Sequence, residues 1–517
     1  MTASEQAALP VRPVQPHGAD LADLVPGAPS VLVTGVSMSS RAVCAGDLYV
    51  GLPGASTHGA RYAAASVHAG AVAVVTDEAG AAQAGDLGVP VIVVADPRQE
   101  IGAWAAEVYG HPGSRMQTYG LTGTNGKTTT MYLLESALTA AGRTVATIGT
   151  IGARVGAEAI PMSRTTVTTP ESPDLQALLA VMVERGADTV VMEVSSHALA
   201  MHRVDAVTFD VAGFTNLGWD HRDFHPTQED YFEAKARLFL PGQSRSAVVA
   251  TDDDWGRTLA ARVRSAGIPL LTTGDDGDVR VTAVERLAGG SQQVTIDLAD
   301  RHLGVVLSLP GSHNVRNLVT AVAMLRAGDV VLEDAIGGFS DVTIPGRLER
   351  VDLGADAPDV YVDFAHTPEA VAAALAALND RRMVCVLGCG GDRDRFKRGP
   401  MGAVAVQGCD LLVVTDDNPR TEDPAAIRDA ILEGARHARD TAAPDTRAAR
   451  CEVVDGGDRR SAIRRALEGA RPGDVVAVLG KGHEHDQEMR GSVTAFNDTD
   501  VVREEWARLR QGVRTWS

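Results

Sequence analysis

The stretch Gly120-Leu121-Thr122-Gly123-Thr124-Asn125-Gly126-Lys127-Thr128-Thr129-Thr130 decides how this chain is read. It follows a short strand and opens an amphipathic helix over Met131–Ala141, the strand–loop–helix setting that a phosphate loop requires. In such a loop the backbone N–H groups of the turn and of the helix N-terminus point at phosphate oxygens. Lys127 neutralises charge on the β- and γ-phosphates, and the Thr128 hydroxyl can hold Mg²⁺. The spacing G-x-x-x-x-G-K-[ST] is not met, because residue 121 is Leu. The shorter Gly123-Thr124-Asn125-Gly126-Lys127-Thr128-Thr129 stands in its place. A nucleoside triphosphate is the expected ligand, which does not yet name a reaction.

Outward from the loop, strands and helices alternate. Gly70–Thr76 and Val89–Val94 read as buried strands, with a helix over Tyr62–His68 before the first. Thr189–Val194 is a further strand, and Arg382–Leu387, Asp410–Thr415 and Asp474–Leu479 are three more, each followed by a loop rich in Gly, Asp or Asn. Alternation of this kind implies parallel sheets with right-handed crossovers, whose ligands bind at the carboxyl ends of strands. Breakers at Gly110-His111-Pro112-Gly113-Ser114 and Ile344-Pro345-Gly346 mark boundaries, so the expectation is three α/β domains: 1–113, 114–345 and 346–517. The first 25 or so residues, with Pro10, Pro13, Pro16 and Pro26, read as a loose arm.

Composition narrows the function. A chain of 517 residues exceeds what one core serves. With 67 acidic against 48 basic residues and a net charge of -19, it is no general nucleic-acid binder. No apolar run is long enough to span a membrane, and no secretory signal is read, so a cytoplasmic protein without membrane insertion is expected. Five cysteines fit a reducing compartment, and Cys385 and Cys389 form no metal-ligand pattern.

Other side chains carry chemistry only in combination. Glu193 at a strand end and His221 in a loop suit a Mg²⁺ site completed by Thr128, although Glu193 reads equally well as a surface carboxylate and His221 by itself reads better as a structural histidine. Lys235, in Asp230–Phe239, reads as a solvated lysine on an ordinary amphipathic helix. Ser195-Ser196-His197 suggests a serine nucleophile, but no Gly-x-Ser-x-Gly elbow surrounds it, and substrate contact suits its strand-end position better. Asp417-Asn418-Pro419-Arg420, Gly391-Asp392-Arg393 and Gly480-Lys481-Gly482-His483-Glu484 end neighbouring strands and converge on one crevice. Arg393 and Arg420 supply guanidinium forks for a carboxylate, while Glu484 and Asp417 can take an ammonium.

Taken in order, these motifs resemble the Mur ligases, cytoplasmic enzymes that add amino acids to the peptidoglycan precursor. The likeness rests on Gly123–Thr129, Met192-Glu193-Val194-Ser195-Ser196-His197, Thr215-Asn216-Leu217 through Asp220-His221, His313-Asn314-Val315-Arg316-Asn317, Gly346-Arg347-Leu348-Glu349 and Asp363-Phe364-Ala365-His366-Thr367-Pro368, and spans roughly residues 30 to 500. It implies an N-terminal UDP-substrate domain, a central P-loop ATPase-like parallel sheet and a C-terminal Rossmann-like domain that takes the incoming amino acid. ATP and Mg²⁺ follow, with His313, Asn314, Asn317, Arg347, Asp363 and His366 contacting ATP once the C-terminal domain closes. Lys127, Lys235 and His221 become the catalytic set. Thr128, Glu193, His221 and Lys235 become the metal set, with Lys235 carbamylated so that a cation becomes an anion.

The N-terminal motifs resemble the branch that adds the third peptide residue. Met38, Ser40 and Ala55-Ser56-Thr57 match uridine-nucleotide contacts, although Ser39 stands where family members have Asp. Thr168, Thr169, Ser195 and Arg203 match contacts to the rest of that substrate, and Met201 occupies a position that is often Gln. Asp417, Asn418, Pro419, Arg420, Arg393, Gly480 and Glu484 match the diaminopimelate pocket. The implied reaction activates the D-glutamate γ-carboxylate of a UDP-muramoyl dipeptide as an acyl phosphate and joins diaminopimelate to it. The implied enzyme is a monomer whose partners are small molecules. A lysine- or ornithine-adding ligase of the same fold is the alternative. Folylpolyglutamate synthase shares the ATP core but needs no uridine-type domain, and an idle nucleotide-binding regulator would not keep every motif.

Overall fold

The structure, a computed structural model, describes residues 10–54, 56–162, 168–218, 220–221, 224–287, 290–378 and 381–514. Its first sheet is parallel, in the order Gly35–Ser37, Asp47–Gly51, Ala73–Thr76, Val91–Val93. The helix Pro97–Val108 buries Ile101, Trp104, Ala105 and Val108 in the core of this unit.

The second sheet has eight strands. Gln117–Thr122 lies near its middle, parallel to Thr189–Glu193 on one side and Phe209–Phe214 on the other. The register pairs Glu193 with Leu121 and Phe214 with Thr122. The loop leaving Thr122 therefore opens between Glu193 and the Thr215-Asn216 segment, a switch point of the kind where α/β sheets bind ligands. The helix Lys127–Ala140 then covers one face of the sheet and packs on Ser312–Ala327, whose buried Leu318, Val322 and Leu325 share its core.

The third sheet runs Glu349–Val351, Asp359–Asp363, Val475–Leu479, Met383–Cys389, Leu411–Asp416, Glu452–Gly457, and only its first pair is antiparallel. Met383–Cys389 and Val475–Leu479 are buried along their whole length, which is why they read as unbroken apolar runs. Their carboxyl ends, with those of Asp359–Asp363 and Leu411–Asp416, form one edge. The fold is thus a three-domain α/β architecture. Among the described residues no helix is long and apolar enough to cross a membrane.

Three expectations need correction. The N-terminal arm is anchored from Val11 onward. Arg12 pairs with buried Asp47 at 3.0 Å, Glu184 accepts the N–H groups of Val14 and Gln15, and Leu21, Leu24 and Val25 are buried. Prolines remove backbone donors, but they do not prevent side chains from docking. The helix after the phosphate loop starts at Lys127 and not at Met131. Its β-branched threonines tolerate the first turn because they are packed on all sides. Finally, Lys235 is no solvated lysine, since its side chain is 1% exposed.

Candidate active site

The phosphate loop is shaped by its glycines. Gly123 and Gly126 have φ of 144° and 88°, which L side chains rarely adopt. A Cβ on Gly123 would run into Thr215 Oγ1, and one on Gly126 into Asn317 Oδ1. The neighbouring strand end pins the loop in place. Asn216 O accepts from Thr124 N at 2.9 Å, Asn216 Oδ1 from Asn125 N at 3.0 Å, and Thr215 Oγ1 donates to Asn125 O at 2.6 Å. Lys127 Nζ donates to Gly123 O at 2.9 Å and Thr124 O at 3.0 Å, and burial lowers its pKa.

Glu193 faces the loop from the adjacent strand end and is 1% exposed. Its Oε1 accepts from Thr128 Oγ1 at 3.0 Å and Thr150 N at 2.8 Å, and its Oε2 from Thr150 Oγ1 at 3.1 Å. Sequence reasoning missed Thr150. Its only signal was a position just beyond the strand Val145–Gly149, at the same sheet edge.

Lys235 arrives from the other side, on the helix Gln228–Ala236, whose start is fixed by a Thr227–Asp230 capping box. Its Nζ donates to Gly123 O at 2.7 Å and lies 4.4 Å from the centre of the Tyr231 ring. Burial, reinforced by the Lys127 charge, drops its pKa well below that of a free lysine. Burial thus shifts its balance toward the neutral, nucleophilic amine. Tyr231 in turn hydrogen-bonds Thr124 Oγ1 at 3.2 Å.

His221, with a φ of 56°, lies 3.6 Å through Nε2 from Asp220 and edge-on to His197 at 4.8 Å. Burial pushes its pKa down to about 4. Burial alone would raise Asp220, but His221, His366 and Lys397 outweigh it and hold the carboxyl at about 2. The last two belong to the C-terminal domain, so the two domains already share an electrostatic field at this edge.

Arg347 spans the same junction. Its Nη2 donates to Thr128 Oγ1 at 3.4 Å, and its guanidinium stacks on Phe364 at 4.6 Å. Asp363 spends both oxygens on the backbone N–H groups of Leu348 and Ala365, each at 2.7 Å. His366 Nδ1 lies 2.8 Å from Phe364 O. A carbonyl only accepts, so Nδ1 carries the proton and Nε2 is left as an acceptor. Asn317 Nδ2 donates to Asn314 Oδ1 at 3.2 Å beside the loop, and His313 sits one residue earlier with a pKa lowered by burial to about 4.

On the substrate side, Thr169 Oγ1 donates to Glu193 O at 2.9 Å and accepts from Ser195 N at 3.1 Å. Ser195 Oγ caps its short helix by accepting from Ala198 N at 3.1 Å. Arg203 donates to Thr169 O at 3.1 Å, pairs with Glu171 at 2.7 Å and reaches Met201 Sδ at 3.5 Å, while Thr168 lies 3.3 Å from Thr150. Met38, Ser40, Ser56 and Thr57 sit on the N-terminal domain instead, where Thr57 accepts from Arg61 at 3.2 Å. Ala55 lies outside the described residues.

A second cluster forms at the edge of the third sheet. Asp417, Asn418 and Pro419 are buried, and Arg420 donates to Gly391 O at 2.7 Å with its Nε 3.6 Å from Glu488. Glu484, on the loop after Gly480, accepts from Asn418 Nδ2 and from Lys481 Nζ, each at 2.8 Å. Burial, then the charge of Asp417, raises its pKa. Arg393 is exposed and, among the described residues, forms no hydrogen bond or ion pair with this cluster. The cluster thus brings Arg420, Asp417 and Glu484, groups of both signs, to one strand-end edge.

A phosphate loop beside a separate charged cluster on a second parallel sheet defines a class: an ATP-using, multidomain α/β enzyme. Family comparison narrows this. Residues 32–109 match the Mur ligase family catalytic domain, residues 121–325 the Mur ligase middle domain, and residues 346–482 the Mur ligase glutamate ligase domain. The chain belongs to the Mur ligase family. It is 45% identical over 509 residues to the UDP-N-acetylmuramoyl-L-alanyl-D-glutamate–2,6-diaminopimelate ligase of Streptomyces coelicolor, covering 96% of this chain and 98% of that one. It is 46% identical over 480 residues to the protein of the same name from Streptomyces avermitilis, covering 91% and 92%. A solved structure of an enzyme of that name matches with a TM-score of 0.67 and 28% identity, over 95% of this chain and 99% of the other.

Proposed function

We propose that this chain is the ATP-dependent ligase that adds diaminopimelate to the D-glutamate γ-carboxylate of UDP-N-acetylmuramoyl-L-alanyl-D-glutamate, in peptidoglycan synthesis. The observation that carries the reading is the buried Lys235 amine 2.7 Å from Gly123 O of the phosphate loop. A simple phosphate-loop ATPase has no use for an amine there, whereas a ligase that must bring a carboxylate up to the γ-phosphate can use it, once carbamylated, as an anionic ligand for Mg²⁺.

The chemistry follows from the parts. The γ-carboxylate attacks the γ-phosphate of ATP, forming an acyl phosphate and releasing ADP. The diaminopimelate amine then attacks the acyl carbon, and the tetrahedral intermediate collapses to the amide and phosphate. Lys127 and the loop N–H groups offset charge on the transferring phosphoryl group. Arg347, at the domain junction, adds a second cation there. Thr169, Ser195 and Arg203 orient the peptide end of the UDP substrate, and Met38, Ser40, Ala55, Ser56 and Thr57 hold its uridine end.

The Thr128 and Glu193 oxygens, 3.0 Å apart, form the hard-oxygen pair that Mg²⁺ prefers. His221 and a carbamate on Lys235 extend that set. Among the described residues no three His, Cys, Asp or Glu side chains gather as a metal-holding group. When bound, Mg²⁺ supplies charge neutralisation at the phosphates. Arg420 takes the distal carboxylate of diaminopimelate, and Glu484 with Asp417 the distal ammonium. All substrates are water-soluble, in keeping with a cytoplasmic enzyme.

Phosphate release measured with ATP and the UDP-muramoyl dipeptide, with and without diaminopimelate, tests this. Release that requires the amine, and that Lys127→Ala abolishes in a folded protein, is expected. Amine-independent ATP hydrolysis, or full activity of Lys127→Ala, overturns the reading.

A further inference from the structure

The amino-acid crevice contains a cation that the proposed reaction does not use. Lys481 follows Gly480 at the end of the Val475–Leu479 strand, and its side chain is 0% exposed. Fully buried lysines are rare, because an ammonium removed from water must find its acceptors in the protein. This one finds three: Glu484 Oε2 at 2.8 Å, Asp486 O at 2.6 Å and Asn418 Oδ1 at 3.4 Å. Its three N–H bonds are thereby matched.

The arrangement sets the direction of every neighbour. Asn418 Oδ1 accepts from Lys481 and from Glu488 N at 2.9 Å, so the amide must turn its Nδ2 toward Glu484, where it donates at 2.8 Å. Glu484 Oε2 is thus held by two donors. Its other oxygen, Oε1, takes no hydrogen bond among the described residues, and the side chain is 28% exposed. One oxygen is clamped and the other is presented. Charges around Glu484 come from three elements: Asp417 at the end of Leu411–Asp416, Lys481 itself, and Arg459 on the helix Arg459–Glu468. Asp417 opposes ionisation of Glu484, and Lys481 favours it.

We infer that Lys481 is a positioning residue for the incoming amino acid: it clamps Glu484 Oε2 and Asn418 so that Glu484 Oε1 receives the distal ammonium. The inference rests on the proposed diaminopimelate pocket. Lys481 touches no substrate and acts only through Glu484 and Asn418.

The test is a double-mutant cycle in the full-length enzyme, reading KM for diaminopimelate and for ATP. Lys481→Met fills the same space without charge or donors and should raise the diaminopimelate KM about 10- to 100-fold, the loss of one charge-assisted hydrogen bond. The ATP KM should stay within about twofold, since the Lys481 ammonium bonds only Asn418, Glu484 and Asp486, none of them assigned to ATP. Glu484→Gln should raise the same KM, and Lys481→Met on top of it should add little. In Lys481→Met the penalty should shrink as pH rises, because Glu484 without its cation ionises only at higher pH. Glutamine in place of lysine, Lys481→Gln, keeps a neutral donor in the cavity and should fall between. An unchanged diaminopimelate KM in Lys481→Met, additive losses in the double variant, or equal losses for ATP would overturn the inference. Should Lys481→Met fail to fold, Lys481→Gln with wild-type KM and pH profile would overturn it. If the wild type itself uses no diaminopimelate, the functional reading fails, and that result is distinct from every one of these.

Discussion

Replacing Arg420 by alanine removes one guanidinium from the charged crevice. Its φ of 53° lies in the left-handed region, and alanine meets the same strain there as arginine does, so the backbone should not move. Within the protein the side chain gives up one hydrogen bond to Gly391 O at 2.7 Å and a longer contact to Glu488 at 3.6 Å. Those losses are worth about 1 kcal/mol of stability, a minor share for a domain of this size. The distal carboxylate of diaminopimelate loses far more. A charge-assisted and forked contact in a site only 22% exposed at Arg420 is worth roughly 2–4 kcal/mol. By the rule of tenfold per about 1.4 kcal/mol, the diaminopimelate KM rises about 30- to 1,000-fold. Steady-state phosphate release at saturating ATP and UDP-muramoyl dipeptide measures it directly. KM values for those two substrates should hold within about twofold, since distant sites act independently. Lysine lacks the carboxylate, so the mutation should cost lysine nothing further. An Arg420→Ala enzyme with unchanged diaminopimelate kinetics, or one that loses ATP affinity in step, refutes the assignment.

Lys235→Ala should be nearly inactive and partly rescued by a small carboxylic acid, because a carbamate's task is to present an anionic oxygen; full activity of the variant sinks the idea. The Arg459–Asp498 pair is 0% exposed on both sides and bidentate, at 2.7 and 2.6 Å, and the same guanidinium holds Leu479 O at 3.1 Å. Arg459→Met should destabilise the chain by roughly 3–5 kcal/mol in urea titration, and the added change Asp498→Leu should restore much of it; a neutral single variant contradicts this. Burial holds His313 and His366 at about 4 and His483 at about 3, below the ordinary 6.5. The unfolded chain takes up protons these histidines refuse, so stability should fall as pH drops from 6.5 toward 4. A melting temperature that stays level or climbs between pH 7 and pH 5 argues against buried neutral histidines.

The phosphate loop was legible because its demands are local: two glycines in the left-handed region and a lysine at a helix start lie within a few residues of one another. The charged crevice was legible for a related reason, since strand ends of a parallel sheet share one edge. What sequence pattern could not carry was long-range burial. Lys235 contacts a carbonyl 112 residues away, and nothing in its own helix distinguishes it from a surface lysine. Thr150 meets Glu193 across 43 residues by way of sheet register alone. The anchored N-terminal arm depends on Asp47 and Glu184, which lie in other elements. Three strands of the last sheet, Glu349–Val351, Asp359–Asp363 and Glu452–Gly457, were passed over because Glu, Arg, Asp and Gly interrupt their apolar pattern near the sheet edges.

The central claim is a choice of amino acid made by a charged pocket. Its most direct test offers the purified enzyme ATP, the UDP-muramoyl dipeptide and equal amounts of diaminopimelate and lysine, and reads the product by mass. The account predicts the diaminopimelate tripeptide as the dominant product, formed with one ADP and one phosphate each. A lysine tripeptide, or ADP without either product, contradicts it.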